Sequence, residues 1–291
     1  MKNTPRFAII GYGEVGQILA ADLLKAGAQP VGVYDVKFDD PASIPSRAIA
    51  EPFHAAASAA ASVQHAQLII SSVTAANGLA AAQSVLAGIQ PGTFFVDLNS
   101  VSPGVKRHAA QLINAAGGRY VEAAVMTSVP GKRIASPMLL GGPDAAAFLE
   151  MATPLGFDAK VYSTELGKAS AVKMCRSVLI KGMEALFTES LLTARRLGVE
   201  KDVIASLQDT IETDWETLAG YMIMRSLQHG KRRAEEVREV ARTVAEAGVP
   251  AVMAPAIAQR QDLSWPLGLN VNLKGSLYEL LDQTLAQLPE G

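Results

Sequence analysis

"GYGEVG", residues 11–16, stands directly between a β-branched run, "RFAII", and an Ala/Leu-rich run, "QILAADLLKAG". Glycines at 11, 13 and 16 suit a tight turn, a backbone that approaches a bound group, and close packing of a helix on a strand. The helix that follows aims its first backbone N–H groups at an anion. Gly11, Tyr12, Gly13, Glu14, Val15 and Gly16 are therefore candidate holders of a pyrophosphate. The next strand, "PVGVYDV", ends in Asp35, 19 residues after Gly16, where a carboxylate can accept hydrogen bonds from a ribose hydroxyl. Loop, flanking elements and acid together point to a dinucleotide. A 2′-phosphate would meet the charge of Asp35, so NAD is expected, with NADP as the alternative because Lys37 lies close by.

The rest of the N-terminal half continues the pattern. "AQLIISSV", "TFFVDL" and "RYVEAAVM" read as further strands separated by helical stretches, and strands alternating with helices imply crossovers and a parallel sheet. Gly27 and Gly88 are expected to stop two of those helices. The Ala-rich "HAAASAAASVQHAQ" reads as a surface helix, since Ala is the best helix former. Beyond Glu165 the strand signal fades into long helical segments, the last of them closed by Gly248 and Pro250. The expected fold is an α/β Rossmann domain, doubly wound with a mostly parallel sheet, over residues 1–163. An all-α domain for substrate binding and dimerisation follows over 164–291, with a short junction near 157–167.

Composition narrows the function classes. With 49% hydrophobic residues and a net charge of −2, the chain lacks the basic footprint expected of a nucleic-acid or anionic-membrane binder. Its apolar windows break well before the roughly 20 residues of a membrane span. Cys175 is the single cysteine, which excludes an intramolecular disulfide, and no secretory leader opens the sequence, so the cytoplasm is the expected compartment. His54, His65, His108 and His229 show no metal-ligand spacing, and no metal is expected.

In an open α/β sheet the ligand lies over the carboxyl ends of the strands. Three loops there carry polar groups. Val73 and Thr74 either flank the cofactor or cap a helix. Ser102 and Pro103 read as a helix N-cap and first position, which leaves Asn99 and Ser100 as site candidates, Asn99 for both cofactor and substrate. Thr127 and Ser128 follow the fifth strand, where an ordinary turn is the other explanation.

In "SAVKMCRSVLIKG", residues 170–182, Lys173, Arg176, Ser177 and Glu184 beyond them fall on one helical face, with Lys181 at its border. The stripe is either a solvated face or the proton-handling side of a redox site. Here the order of features resembles the β-hydroxyacid dehydrogenase superfamily, which includes 3-hydroxyisobutyrate and 6-phosphogluconate dehydrogenases. The resemblance rests on the glycine loop, "DLNSVSP", "EAAVMTSVPG" and "GKASAVKMCRS". It implies that Lys173 is the general acid/base, that the substrate is a small hydroxy acid or alcohol, and that the chain forms a homodimer through its helical domain. Three departures mark a divergent branch: Arg176 and Ser177 replace an Asn pair, Met126, Thr127 and Ser128 replace a carboxylate-binding turn, and Glu235 replaces a lysine.

Alcohol oxidation needs a neutral Lys173, with its pKa brought from about 10.4 toward 7 to 8. Arg176, Lys181 and partial burial all act in that direction, although Lys181 could simply meet solvent. Arg176 is a candidate carboxylate anchor. His229 and Arg232, with Arg233, form the one basic cluster, read either as a substrate holder or as a solvated helix start paired with Glu235 and Glu236. Met126, Trp215, Met222 and Trp265 are core residues or cleft lining. The competing functions are an NADPH-dependent carbonyl reductase of the same fold and a non-catalytic dinucleotide sensor.

Overall fold

Five of the seven strands coincide with the apolar runs of the sequence: β1 (Arg6–Ile10), β2 (Gln29–Tyr34), β3 (Leu68–Ser71), β4 (Phe94–Asp97) and β5 (Arg119–Val125). They belong to one sheet in a computed structural model that describes residues 4–208 and 212–288. The strand order is β2-β1-β3-β4-β5-β6-β7, with β6 (Met138–Gly141) and β7 (Ala159–Ser163) at one side. All neighbours pair parallel except β5 with β6. The mostly parallel α/β expectation holds.

The chain leaves β1 in opposite directions for β2 and β3, which opens a crevice at the carboxyl ends of the strands. Register makes those ends level: Ile10 pairs with Tyr34 and Ser71, and Ser71 with Asp97. Both sheet faces are covered, so β3 and β4 are buried at every position rather than alternately. Phe7, Ile9, Leu68 and Val96 pack with Leu19, Leu23 and Phe148 on one face. Ala8, Ile10, Ile69 and Phe95 pack with Val85, Ala110 and Ile113 on the other.

Several expectations change. Residues 157–167, read as a junction, contain β7, whose pairing to Met138–Gly141 supplies what its largely exposed side chains do not. The stretch "HAAASAAASVQHAQ" is helical only over Ala59–Val63. Its first residues run along β2 instead, where Val33 exchanges backbone hydrogen bonds with His54 and Ala56, and the short helix is buried at Ala59, Ser62 and Val63. Gly27 ends its helix with φ +90° as expected. Gly88 serves a different purpose: a Cβ there would lie 1.9 Å from the Ala60 carbonyl oxygen.

The chain divides into two units, Met1–Met174 and Cys175–Gly291. The division falls inside the helix Lys168–Leu197, later than the 163/164 boundary read from the sequence, because the first turns of that helix are bound to the sheet. Ala169 packs with Ala124 and Leu139, and Val172 and Met126 border the same cluster. The second unit is helical, with Glu200–Gln208, Trp215–Glu246, Met253–Leu267 and Leu277–Leu285 after the long helix. Its core gathers Leu191, Leu192, Ile223, Leu227 and Leu281, bordered by Trp215; Met222 is also buried. No described helix is long and apolar enough to cross a membrane.

Candidate dinucleotide and active site

The glycine loop is held from three sides. Gly11 takes φ +90°, donates its N–H to the Tyr34 carbonyl at 2.8 Å, and accepts the Ser72 hydroxyl at 3.0 Å. A Cβ on Gly11 would come within 2.7 Å of the Ser72 carbonyl oxygen, and one on Gly16 within 2.0 Å of the Gly11 carbonyl oxygen. Both glycines are thus demanded by the protein's own packing. Gly13 differs: a Cβ there would meet nothing within 4 Å, and its conformation is open to any residue. As N-cap of the helix Glu14–Lys25 it provides no side-chain cap, so the helix N-terminus keeps its affinity for an anion. The loop therefore fits a pyrophosphate, with clearance at the one glycine the fold does not need.

Asp35 is built into this loop. Its Oδ2 accepts the Tyr12 N–H at 2.7 Å and its Oδ1 the Lys37 N–H at 2.9 Å. A carboxylate has about four lone-pair sites, so Asp35 can brace the loop and still accept a ribose hydroxyl. Tyr12 turns its ring inward against Phe38 and Phe53, and burial raises its phenol pKa; its contribution to the loop is its backbone. Glu14 and Val15 open the helix.

The loops after β3 and β4 are tied together by Asn99. Its Oδ1 accepts the Val73 N–H at 2.7 Å, and its Nδ2 donates to the Ser71 hydroxyl at 2.9 Å. The side chain is thus buried and bonded at both ends, which positions Val73, and it keeps one Nδ2 hydrogen beyond these bonds. Ser100, next to it, is half-buried. Thr74 is exposed, caps the short turn Ala75–Asn77 through its backbone, and accepts a hydrogen bond from the Asn77 side chain. Ser102 caps its helix as expected, accepting from the Val105 N–H.

Two acids that sequence reasoning missed support these loops. Asp97 and Lys106 form a buried ion pair at 2.9 Å, to which Tyr120 adds a hydroxyl bond at 2.6 Å and Asn99 its backbone N–H. Burial, the Asp97 charge and its hydrogen bond hold the Tyr120 pKa well above 10. Glu122, fully buried, accepts backbone N–H groups from Gly167, at 2.6 Å, and Ser170. It thereby caps the helix that carries Lys173, where a negative charge also meets the favourable end of the helix dipole. A Cβ on Gly141 would lie 2.7 Å from the Glu122 Oε2. The legible signal was an acid inside an apolar strand, "YVEAAV".

Lys173 is half-buried and follows Val172, which borders the same apolar cluster as Met126 at the end of β5. Thr127 and Ser128, exposed, leave that same end. In the helical unit Arg176 is exposed and Ser177 buried; His229 is half-buried, and Arg232 pairs with Glu236 at 2.6 Å. Among the described residues no group of three His, Cys, Asp or Glu side chains gathers as a metal site.

Comparison with known proteins agrees with this geometry. Residues 6–156 match the NAD binding domain of 6-phosphogluconate dehydrogenase, and residues 194–263 match a domain of unknown function. Human mitochondrial 3-hydroxyisobutyrate dehydrogenase is 24% identical over 68% of this chain and 59% of its own length. The chain thus spans about three fifths of that relative. An NAD-dependent L-serine dehydrogenase of Pseudomonas aeruginosa is 27% identical over 69% of this chain and 68% of its own. Among solved structures, a conserved hypothetical protein from Sinorhizobium meliloti 1021 is 32% identical with a TM-score of 0.77, covering 99% of this chain and 98% of its own. The fold is also that of Mycobacterium tuberculosis 3-hydroxyisobutyrate dehydrogenase, at 17% identity and TM-score 0.72 over 97% of this chain and 99% of the other.

Proposed function

This chain belongs to the β-hydroxyacid dehydrogenase superfamily and carries its NAD(P)-binding domain, and from that premise we propose that it oxidises a small hydroxy acid or related alcohol, with Lys173 as general acid/base. The observation that carries the reading is the pairing of a glycine loop open at Gly13 with a lysine whose helix is pinned to the same sheet by Glu122. NAD(P), when bound, supplies the hydride acceptor. The neutral Lys173 Nζ takes the hydroxyl proton as the C–H bond breaks, and returns it in the reduction direction. Hydrogen-bond donors aimed at the substrate oxygen stabilise the developing charge, a role for Lys173 itself and for Ser100. Asn99, which takes the Val73 N–H and gives one Nδ2 hydrogen to Ser71, keeps the loop in place and retains a second Nδ2 hydrogen for a bound group. Thr127 and Ser128 offer hydroxyls for the substrate carboxylate at the end of β5.

Asp35 makes NAD the favoured cofactor. Its carboxylate is fixed by two backbone N–H groups and would repel a 2′-phosphate. Homodimerisation through the helical unit belongs to the same reading, supported by Leu179 and Leu186, exposed seven residues apart on the long helix; light scattering measures it.

The test is Lys173→Ala, assayed with NAD and a panel of hydroxy acids. Turnover is expected to vanish while NADH binding, followed by its fluorescence, stays near wild type. A variant that retains the wild-type rate refutes the assignment.

A further inference from the structure

The helical unit holds a charge cluster that the proposed hydride transfer does not use. Lys181 and Glu184 come from the long helix, and Arg225, His229, Arg232, Arg233 and Glu236 from successive turns of Trp215–Glu246. Lys181 Nζ lies 2.6 Å from one oxygen of Glu236 and Arg232 Nη1 2.6 Å from the other. Arg233 Nη1 lies 2.6 Å from Glu184 Oε2, and Arg225 Nε 3.4 Å from Oε1. Gln261 donates to Glu184 Oε2 at 3.2 Å and accepts the Ser226 hydroxyl at 3.0 Å. Each carboxylate therefore serves at least two cations.

Charges taken out of water are costly unless they are compensated. In this cluster four cations, Lys181, Arg225, Arg232 and Arg233, meet two carboxylates. His229 adds no negative charge; burial first, then Arg232, Arg225 and Arg233, hold its pKa down to about 4. Lys181 and Arg233 are buried and spent on the carboxylates, and the Arg233 Nε is buried without a hydrogen-bond partner. The remaining donors lie at the accessible side. The Arg225 side chain is 25% exposed and the Arg232 side chain 54%. Beyond its contact with Glu184, Arg225 gives Nη1 to the Tyr221 hydroxyl at 2.8 Å and retains Nη2. Arg232 retains Nε and Nη2. The two arginines flank His229 at positions i, i+4 and i+7 of one helix, so the three side chains share a ridge.

We propose that Arg225, His229 and Arg232 form a binding site for a compact oxyanion, a carboxylate or a phosphoryl group, which completes the charge balance of the cluster. Guanidinium groups match the geometry of both, through paired N–H donors. The neutral imidazole between them adds one ring N–H. The oxyanion is either a free ion or a group carried by the substrate.

Calorimetric titration of the full chain with inorganic phosphate and with malonate, at constant ionic strength held by chloride, tests the site. Saturable binding is expected in the wild type, weakened about tenfold or more in Arg232→Gln, as loss of a charge-assisted donor pair predicts. Arg232 is the most exposed member, so this variant keeps the buried pairs; Arg225→Gln is the second variant. An unchanged helical circular-dichroism signal with a cooperative melt shows that both remain folded. Phosphate that competes with the hydroxy-acid substrate assigns the site to a substrate group, and phosphate that binds without competing assigns it to a free ion; either supports the site. Absence of saturable binding in the wild type, or binding that survives the Arg225→Gln/Arg232→Gln double variant, overturns it. Both readouts are independent of turnover, so failure of the dehydrogenase assignment would leave this result standing.

Discussion

Gly13 and Gly16 belong to one motif, yet alanine at the two positions should affect the fold very differently. Gly13 sits at φ −71°, ψ −166°, a region any L-residue adopts, and an added Cβ meets nothing within 4 Å. Gly13→Ala therefore introduces no steric strain, and its gain of about 0.4–1 kcal/mol from restricting the unfolded chain is offset by the preference of an N-cap for Gly over Ala, so the melt stays close to wild type. The methyl group occupies the clearance through which a pyrophosphate reaches the backbone N–H groups. Loss of one charge-assisted hydrogen bond costs about 1.5–3 kcal/mol, roughly a 10- to 150-fold weaker Kd. At Gly16 the added Cβ would lie 2.0 Å from the Gly11 carbonyl oxygen and 3.1 Å from its carbonyl carbon. Backbone cannot rotate out of the way as a side chain does, so Gly16→Ala should cost at least the ~1–3 kcal/mol of ordinary overpacking, and weaken NADH as well. Thermal melts and NADH fluorescence titrations read the two quantities separately. A Gly13→Ala protein that binds NADH like wild type, or a Gly16→Ala protein that melts at the wild-type temperature, refutes the account of the loop.

Three further outcomes follow from buried groups. Glu122→Gln turns an amide donor toward one of the two N–H groups the carboxylate accepts, so a lower melting temperature, a loss of about 2–3 kcal/mol, and a shifted pH–rate profile for Lys173 are expected; a change in melting temperature alone would limit Glu122 to a structural role. Lys106→Met leaves the Asp97 carboxylate buried without its cation, at a cost of about 3–5 kcal/mol, measurable by denaturant midpoint. His229 has a folded pKa of about 4 against an ordinary 6.5, so the unfolded chain binds the extra proton first and stability falls as pH drops from 6.5 toward 4. His229→Gln should flatten that part of the stability–pH curve, and an unchanged slope would show that other groups produce it.

The sequence disclosed what is local. Glycine spacing, the strand before it, the helix after it and Asp35 all lie within a short stretch, and each property needed for the inference, a turn, an uncapped helix end, a carboxylate at a strand end, is a property of consecutive residues. The alternation that separates the sheet from the helical half is equally local. The partition between the units was less legible. β7 has a mostly exposed face and a short run, so nothing in "AKVYS" announces a strand until its partner β6 is placed beside it.

Contacts between residues far apart in the chain were decided by the tertiary structure alone. Asn99 reads as a ligand contact because it follows a strand, and only the level register of β3 and β4 brings Ser71 and Val73 to its two polar ends. Glu122 and Gly167 are 45 residues apart, and no periodicity links an acid inside a strand to the helix it caps. The stripe on the long helix likewise resolves only with its neighbours known: Lys181 meets Glu236 and Glu184 meets Arg233. Which charges compensate one another, and which remain in excess, depends on distances that packing sets and that sequence spacing does not encode.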